Sequence, residues 1–199
     1  MNRDSLRELL LRVREGDLDI DQALDGLRNL PYEDLGFARI DHHRALRRGQ
    51  PAVIFCPGKL PSQIADIAVR LWEHNSIVLA TRSDDQAFAA VGARIPEAQR
   101  DPLSRLITIG EPSPCAHRGL VAVVSAGTSD LPVAEEAAGT LIAYGHEVLR
   151  VFDVGVAGLH RLLGSLERLQ AAQVVIVVAG MDGALPSVVG GLLEQPVIA

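Results

Sequence analysis

Residues 120–137 read LVAVVSAGTSDLPVAEEA, and their reading decides the fold. Val121–Val124 is an apolar run rich in β-branched residues, of the kind that forms a strand buried in a parallel sheet. It breaks at Ser125-Ala126-Gly127-Thr128-Ser129-Asp130, a cluster of small and hydroxyl residues. A helix is predicted to follow, with Ser129 or Asp130 as N-cap, Pro132 in the first turn, and Glu135 and Glu136 near the positive end of the dipole. Strand, small-residue turn and helix N-terminus together turn backbone N–H groups toward an anion. Gly127 lets a ligand approach the backbone, and Thr128 and Ser129 add hydroxyl donors. Asp130 would repel a phosphate, so a sugar hydroxyl is the partner assigned to it. The same residues also make an ordinary capped βα turn, which any α/β domain contains.

Two further junctions downstream have the same character. A helix over Val133–Tyr144 ends at Gly145, and a strand over His146–Phe152 leads into Asp153-Val154-Gly155-Val156-Ala157-Gly158-Leu159-His160-Arg161 and a helix to about Leu169. The strand Val174–Val178 is wholly apolar and ends at Ala179-Gly180-Met181-Asp182-Gly183-Ala184-Leu185-Pro186, before another helix. In an open parallel sheet all three junctions lie along the C-terminal edge, where ligands bind. His160 and Arg161 would bring a proton carrier and a cation to Ser129 and Asp130. A helix-start histidine with no task is the plain alternative for His160. The convergence of three junctions favours a site.

The first half is less regular. Leu6, Leu9, Leu10 and Val13 give a helix over Arg3–Glu15 that Gly16 stops, and a second helix runs from Asp19 through Ala23, Leu24 and Leu27 to Pro31. This hairpin carries no chemistry. Asp41-His42-His43-Arg44 is too compact for a helical metal pair. Alternation would put Asp41 and His43 on one side of an extended segment, and His42 and Arg44 on the other. A strand over Ala52–Cys56, a turn at Pro57-Gly58-Lys59, a helix over Gln63–His74 capped by Ser62, and a strand over Ile77–Thr81 make a βαβ unit. A helix over Asp85–Ala93 and a strand over Leu106–Ile109 follow. Gly58-Lys59 at a strand-to-helix turn could meet a phosphate, although it lacks the full P-loop pattern. Cys56 reads as a buried small hydrophobe. Cys115 with His117 reads as an incidental exposed thiol in the linker candidate Gly110–Gly119. The predicted organisation is a helical hairpin (1–30), a small α/β domain (31–111), a linker (112–118) and a three-layer parallel-sheet domain (119–199).

Composition narrows the class. At 199 residues the chain can form one large or two small domains, and 48% hydrophobic content with 4% aromatics asks for a core of Ala, Val, Leu and Ile. A net charge of -6 argues against a general nucleic-acid binder. There is no apolar run of transmembrane length, and the N-terminus mixes charges too finely for a signal peptide. Two cysteines make neither a disulfide framework nor a metal motif. The expectation is a soluble, cytoplasmic protein. Pro196-Val197-Ile198-Ala199 reads as a parallel strand just beginning, so a longer parent protein is also expected.

The junction motifs resemble those of the LarB family of nickel-pincer cofactor biosynthesis. Ser125–Pro132 with Ala134-Glu135-Glu136-Ala137 carries the resemblance, as do Asp153–Arg161 and Ala179–Val189. In the first half, Leu30–Ala38, His43–Arg47 and Ile54–Lys59 are similar to that family's N-terminal domain. The C-terminal half resembles the PurE fold of aminoimidazole ribonucleotide carboxylase, a flavodoxin-like or Rossmann-like arrangement, here expected to be incomplete at its C-terminus. Ser129-Asp130 and His160-Arg161 match the ribonucleotide-holding pairs of that fold. Gly158 and Ala184 stand in place of its serine and histidine, which argues against the purine substrate. Ala52 stands where the family often has a glutamate.

The resemblance implies carboxylation of the pyridinium C5 of nicotinic acid adenine dinucleotide by CO2, with phosphoanhydride hydrolysis that releases AMP. It implies a homo-oligomer, an octamer in PurE-like sheets. It also places the nucleophilic cysteine after the Pro-Val-Ile-Ala segment, so that 199 residues alone would bind nucleotide poorly and not turn over. On this reading Gly127, Thr128, Ser129 and Asp130 bind ribose and phosphate, Arg161 binds phosphate, and His160 moves the proton together with Asp130. Gly180, Met181, Asp182 and Gly183 seat the ring or CO2. Asp41, Arg44 and Lys59 hold the adenylate, with Mg2+ a candidate aid to hydrolysis. A purine-type carboxylase or mutase and a non-catalytic dinucleotide-binding protein are the alternatives.

Overall fold

The computed structural model describes residues 3–27, 32–112 and 119–199. Pro31, Cys115, His117 and most of the linker candidate lie outside the described residues. The chain divides into two compact units, residues 1–99 with 107–111, and residues 100–106 with 112–199.

The first unit opens with α1 (Arg3–Glu15) and α2 (Ile20–Leu27). Gly16 takes φ +83 where α1 stops, a left-handed conformation that a glycine adopts without strain. Asp19 Oδ1 accepts from Gln22 N at 2.7 Å and Gln22 Oε1 accepts from Asp19 N at 3.2 Å, a reciprocal cap that starts α2. Next come β1 (Tyr32–Asp34) and β2 (Arg39–Asp41), an antiparallel hairpin turning at Gly36. The chain then enters α3 (Arg44–Arg48). Residues 41–44 are therefore a strand end, a turn and a helix start, and not the extended segment that alternation predicts.

The chain continues with β3 (Val53–Phe55), α4 (Pro61–Trp72), β4 (Val78–Thr81), α5 (Asp85–Gly92), β5 (Gln99–Asp101) and β6 (Leu106–Ile109), of which residues 100–106 count with the second unit. The strand order is β3-β4-β6-β5. β3 and β4 are parallel, as the βαβ reading requires, and β6 runs antiparallel to β4. The N-cap of α4 is Leu60 rather than Ser62, because Gln63 Oε1 accepts from Leu60 N at 3.0 Å. Ile54, Ile64, Ala68, Leu71, Val78, Val91 and Ile107 fill the first core.

The second unit contains β7 (Leu120–Ser125), a short 3-10 turn (Thr128–Asp130), α6 (Leu131–Ala143), β8 (Glu147–Val151), α7 (Leu159–Leu163), α8 (Leu166–Gln170), β9 (Val174–Val178), α9 (Ala184–Leu192) and β10 (Val197–Ile198). Its four strands are all parallel, in the order β10-β9-β7-β8. This is the doubly wound order in which the chain leaves the central strand on one side and returns on the other. Val123 meets Ala134 and Ala138 of α6 on one face. Val124, Val175 and Val177 meet Leu162, Leu169, Leu185 and Val189 of α7–α9 on the opposite face. The result is a helix–sheet–helix sandwich, an α/β fold as the sequence predicts. The single helix expected up to Leu169 is two, broken at Gly164-Ser165, where Ser165 Oγ donates to Arg161 O at 3.1 Å.

Candidate functional site

The three glycine-rich junctions of the second unit follow the C-terminal ends of β7, β8 and β9. Backbone hydrogen bonds stitch the first to both others. Ala126 N donates to Val178 O at 3.0 Å, Val154 N to Ser125 O at 3.0 Å, and Gly155 N to Ala126 O at 2.8 Å. A Cβ on Gly155 would stand 2.8 Å from Ala126 O, so this crossing has room only for glycine. Ser125 is fully buried, and its Oγ accepts from Asp153 N at 3.4 Å.

Asp130 draws the first and third junctions together. Its Oδ2 accepts from Gly127 N at 2.9 Å and its Oδ1 from Gly180 N at 3.0 Å. The carboxylate thus folds back on its own turn instead of capping α6, for which Asp130 is the N-cap residue without a side-chain cap bond. Thr128 and Ser129 are exposed beside it. Met181, Asp182 and Gly183 are exposed on the third junction, where Asp182 Oδ1 accepts from Ala184 N at 3.2 Å. Gly183, at φ +63, begins α9.

The second junction carries its own ion pair. Arg161 Nη1 lies 2.7 Å from Asp153 Oδ2, and Asp153 holds a left-handed φ of 59. A Cβ on Gly158 would meet Arg161 Nε at 2.6 Å. The absence of a side chain at 158 therefore leaves the guanidinium room to fold onto Asp153. His160 is exposed at the second residue of α7.

The first unit has a separate concavity at the ends of its parallel pair, β3 and β4. Cys56, Pro57, Gly58, Lys59, Arg82 and Asp84 are among its lining. Lys59 Nζ donates to Phe55 O at 2.7 Å, and the Arg82 guanidinium sits over the Phe55 ring at 5.5 Å. Asp84 caps α5, accepting from Ala87 N at 2.7 Å. Arg82 and Asp84 were not among the residues the sequence singles out. The signal was present, because Thr81-Arg82-Ser83-Asp84 ends β4 as Cys56–Lys59 ends β3. Cys56 is buried, as expected.

Asp41 and Arg44 do not line this concavity. Arg47 grips Asp41 through Nη2 at 2.6 Å and Nη1 at 3.2 Å, and this hydrogen-bonded guanidinium holds the Asp41 carboxyl below the usual aspartate range. Arg44 is exposed on α3. Of Asp41, Arg44 and Lys59, only Asp41 offers a carboxylate, and Arg47 already grips it.

No helix among the described residues is long and apolar enough to cross a membrane. A family model described as the LarB/PurE-like N-terminal domain matches residues 32–111. The chain is 36% identical over 203 residues to an uncharacterized protein of Methanocaldococcus jannaschii, covering 98% of this chain and 79% of that protein. It is also 36% identical over 83 residues to the N5-carboxyaminoimidazole ribonucleotide mutase of the same organism, covering 40% of this chain and 50% of the mutase. Fold and comparisons together define a PurE-like α/β protein. The chain belongs to the LarB family.

Proposed function

We propose that the chain serves the carboxylation of nicotinic acid adenine dinucleotide at pyridinium C5, coupled to phosphoanhydride hydrolysis that yields AMP and pyridinium-3,5-biscarboxylic acid mononucleotide. The observation that supports this reading is the Asp130 bridge. It holds the hydroxyl-bearing turn of β7 and the Gly180 loop of β9 in one constellation at the point where the strand order reverses. On this reading the exposed hydroxyls of Thr128 and Ser129, with the N–H groups of that turn, bind ribose and phosphate. Arg161, steadied by Asp153, takes phosphate charge. His160 accepts the ring proton, and residues 180–183 seat the ring or CO2. Within the first unit, Lys59 and Arg82 are the cations offered to the adenylate phosphate.

A pyridinium ring is electron-poor and cannot attack CO2. A thiolate that adds to it makes an enamine, whose C5 forms the new bond to CO2. Loss of the C5 proton and departure of the thiolate then restore the ring. Cys56 is 5% exposed in the first core, so it is not that thiolate. Binding of nicotinic acid mononucleotide, read by calorimetry, tests the nucleotide site of the second unit. Saturable binding that Asp130→Ala weakens supports the reading, and no binding at millimolar ligand overturns it.

The mutase relative supports a second reading, a purine-type carboxylase or mutase. Gly158 and Ala184 distinguish the two, since they replace the serine and histidine expected of a purine site. Competition between nicotinic acid mononucleotide and aminoimidazole ribonucleotide decides. Preference for the pyridinium nucleotide supports the first reading, and preference for the imidazole supports the second.

A further inference from the structure

Three titratable side chains of the first unit meet at a place that neither edge uses. Glu33 comes from β1, His42 from the turn after β2 and His74 from the turn that follows α4. One carboxylate oxygen and one nitrogen of each imidazole lie within 4.8 Å of one another. His42 Nε2 is 3.1 Å from Glu33 Oε2, and the two imidazoles meet edge to face with centroids 4.5 Å apart. The His42 side chain is 2% exposed, and among the described residues its Nδ1 has no hydrogen-bond partner.

These facts are hard to reconcile with packing alone. A buried position beside a strand and a helix end is ordinarily apolar, and here it holds an imidazole whose side chain is 2% exposed against a carboxylate and a second imidazole. Two imidazoles and one carboxylate are, by contrast, the donor set of a borderline first-row divalent ion, and not of Mg2+ or Ca2+. Tetrahedral donors around such an ion stand about 3.3–3.5 Å apart, given metal–nitrogen bonds of about 2.0–2.1 Å. The cluster reaches that spacing with small side-chain adjustments, and Glu33 and His74 are both only partly buried. Arg70 Nε stands 3.5 Å from Glu33 Oε1, which leaves Oε2 for an ion and gives the carboxylate an orienting partner.

We propose that Glu33, His42 and His74 bind one divalent cation of the Zn2+ class, with water in the fourth position. The ion would tie the β1–β2 hairpin to the end of α4. Residues 41–44 read alone hide this site, because two of its three ligands lie elsewhere in the chain.

The test uses the tag-free 199-residue chain, stripped with a chelator and then titrated with Zn2+ by calorimetry and with Co2+ as an absorbing probe. The expected result is one ion per chain, a four-coordinate Co2+ spectrum that Zn2+ abolishes and excess Mg2+ does not, and a higher Tm with Zn2+. Glu33→Gln and His74→Gln should each weaken binding at least about tenfold. His43→Gln, one residue from His42 but outside the cluster, should leave it unchanged. His42→Phe should abolish binding, and because it also removes a buried imidazole–carboxylate contact the other two variants carry the decision. Less than a tenth of an ion per chain, or unchanged affinity in both Glu33→Gln and His74→Gln, overturns the proposal and leaves a hydrogen-bonded imidazole–carboxylate cluster.

Discussion

At Asp130 a single carboxylate satisfies two backbone N–H groups far apart in sequence, those of Gly127 and Gly180, the second 50 residues from Asp130 itself. Charge-assisted bonds of this kind are worth more than neutral ones, so Asp130→Ala is expected to cost on the order of 1–3 kcal/mol in urea unfolding. It should also weaken binding of nicotinic acid mononucleotide about tenfold or more, measured by calorimetry, by freeing the Gly180 loop. Gly155→Ala forces a methyl against Ala126 O and should cost about 1–3 kcal/mol by the same measurement. Gly158→Ser tests the space given to Arg161. The new side chain displaces a flexible guanidinium, so stability should change little while affinity for phosphate-bearing ligands changes. Sequence alone marks Gly127, Asp130 and Gly180 as site residues. It could not show that Asp130 bridges to Gly180, because the two residues become neighbours only when β7 and β9 pair.

Element by element, the strands that the sequence makes plain are those with β-branched runs. Val53–Phe55, Val78–Thr81, Leu106–Ile109, Leu120–Ser125 and Val174–Val178 all fall where apolar residues cluster. The β1–β2 hairpin and β5 escape such a reading. Tyr32-Glu33-Asp34 and Gln99-Arg100-Asp101 carry almost no apolar residues, and side-chain contacts such as Arg39 Nε to Asp34 Oδ2 at 3.1 Å support the hairpin instead. An apolar run also carries no direction, so the antiparallel entry of β6 was invisible. The turn from β5 to β6 yields a pH prediction. Asp101 bonds the Ser104 side chain and then the Ser104 and Leu103 backbone, which together lower its pKa. A depressed carboxyl stabilises the fold above the ordinary aspartate range, and that contribution is lost as the pH falls through the lowered value. Asp101→Asn should therefore lower Tm by about 1–4 °C at pH 7, and the gap from the parent chain should close as the pH falls through the lowered Asp101 value.

At the scale of the whole molecule, each of the two units fills an apolar core of its own. Leu185→Ala, at a fully buried position of the second core, is expected to cost about 2–5 kcal/mol. Hydrogen exchange should quicken across β7, β8 and β9, while β3 and β4 keep their rates. The order β10-β9-β7-β8 has one more consequence. β8 and β9 are not neighbours in the sheet, and each pairs with β7 over Val121–Val124. The second sheet must therefore assemble outward from its middle, with β7 as the template on which later strands are laid. Slowed refolding of conservative β7 variants such as Val123→Ala, with unfolding rates little changed, would be the kinetic mark of that origin.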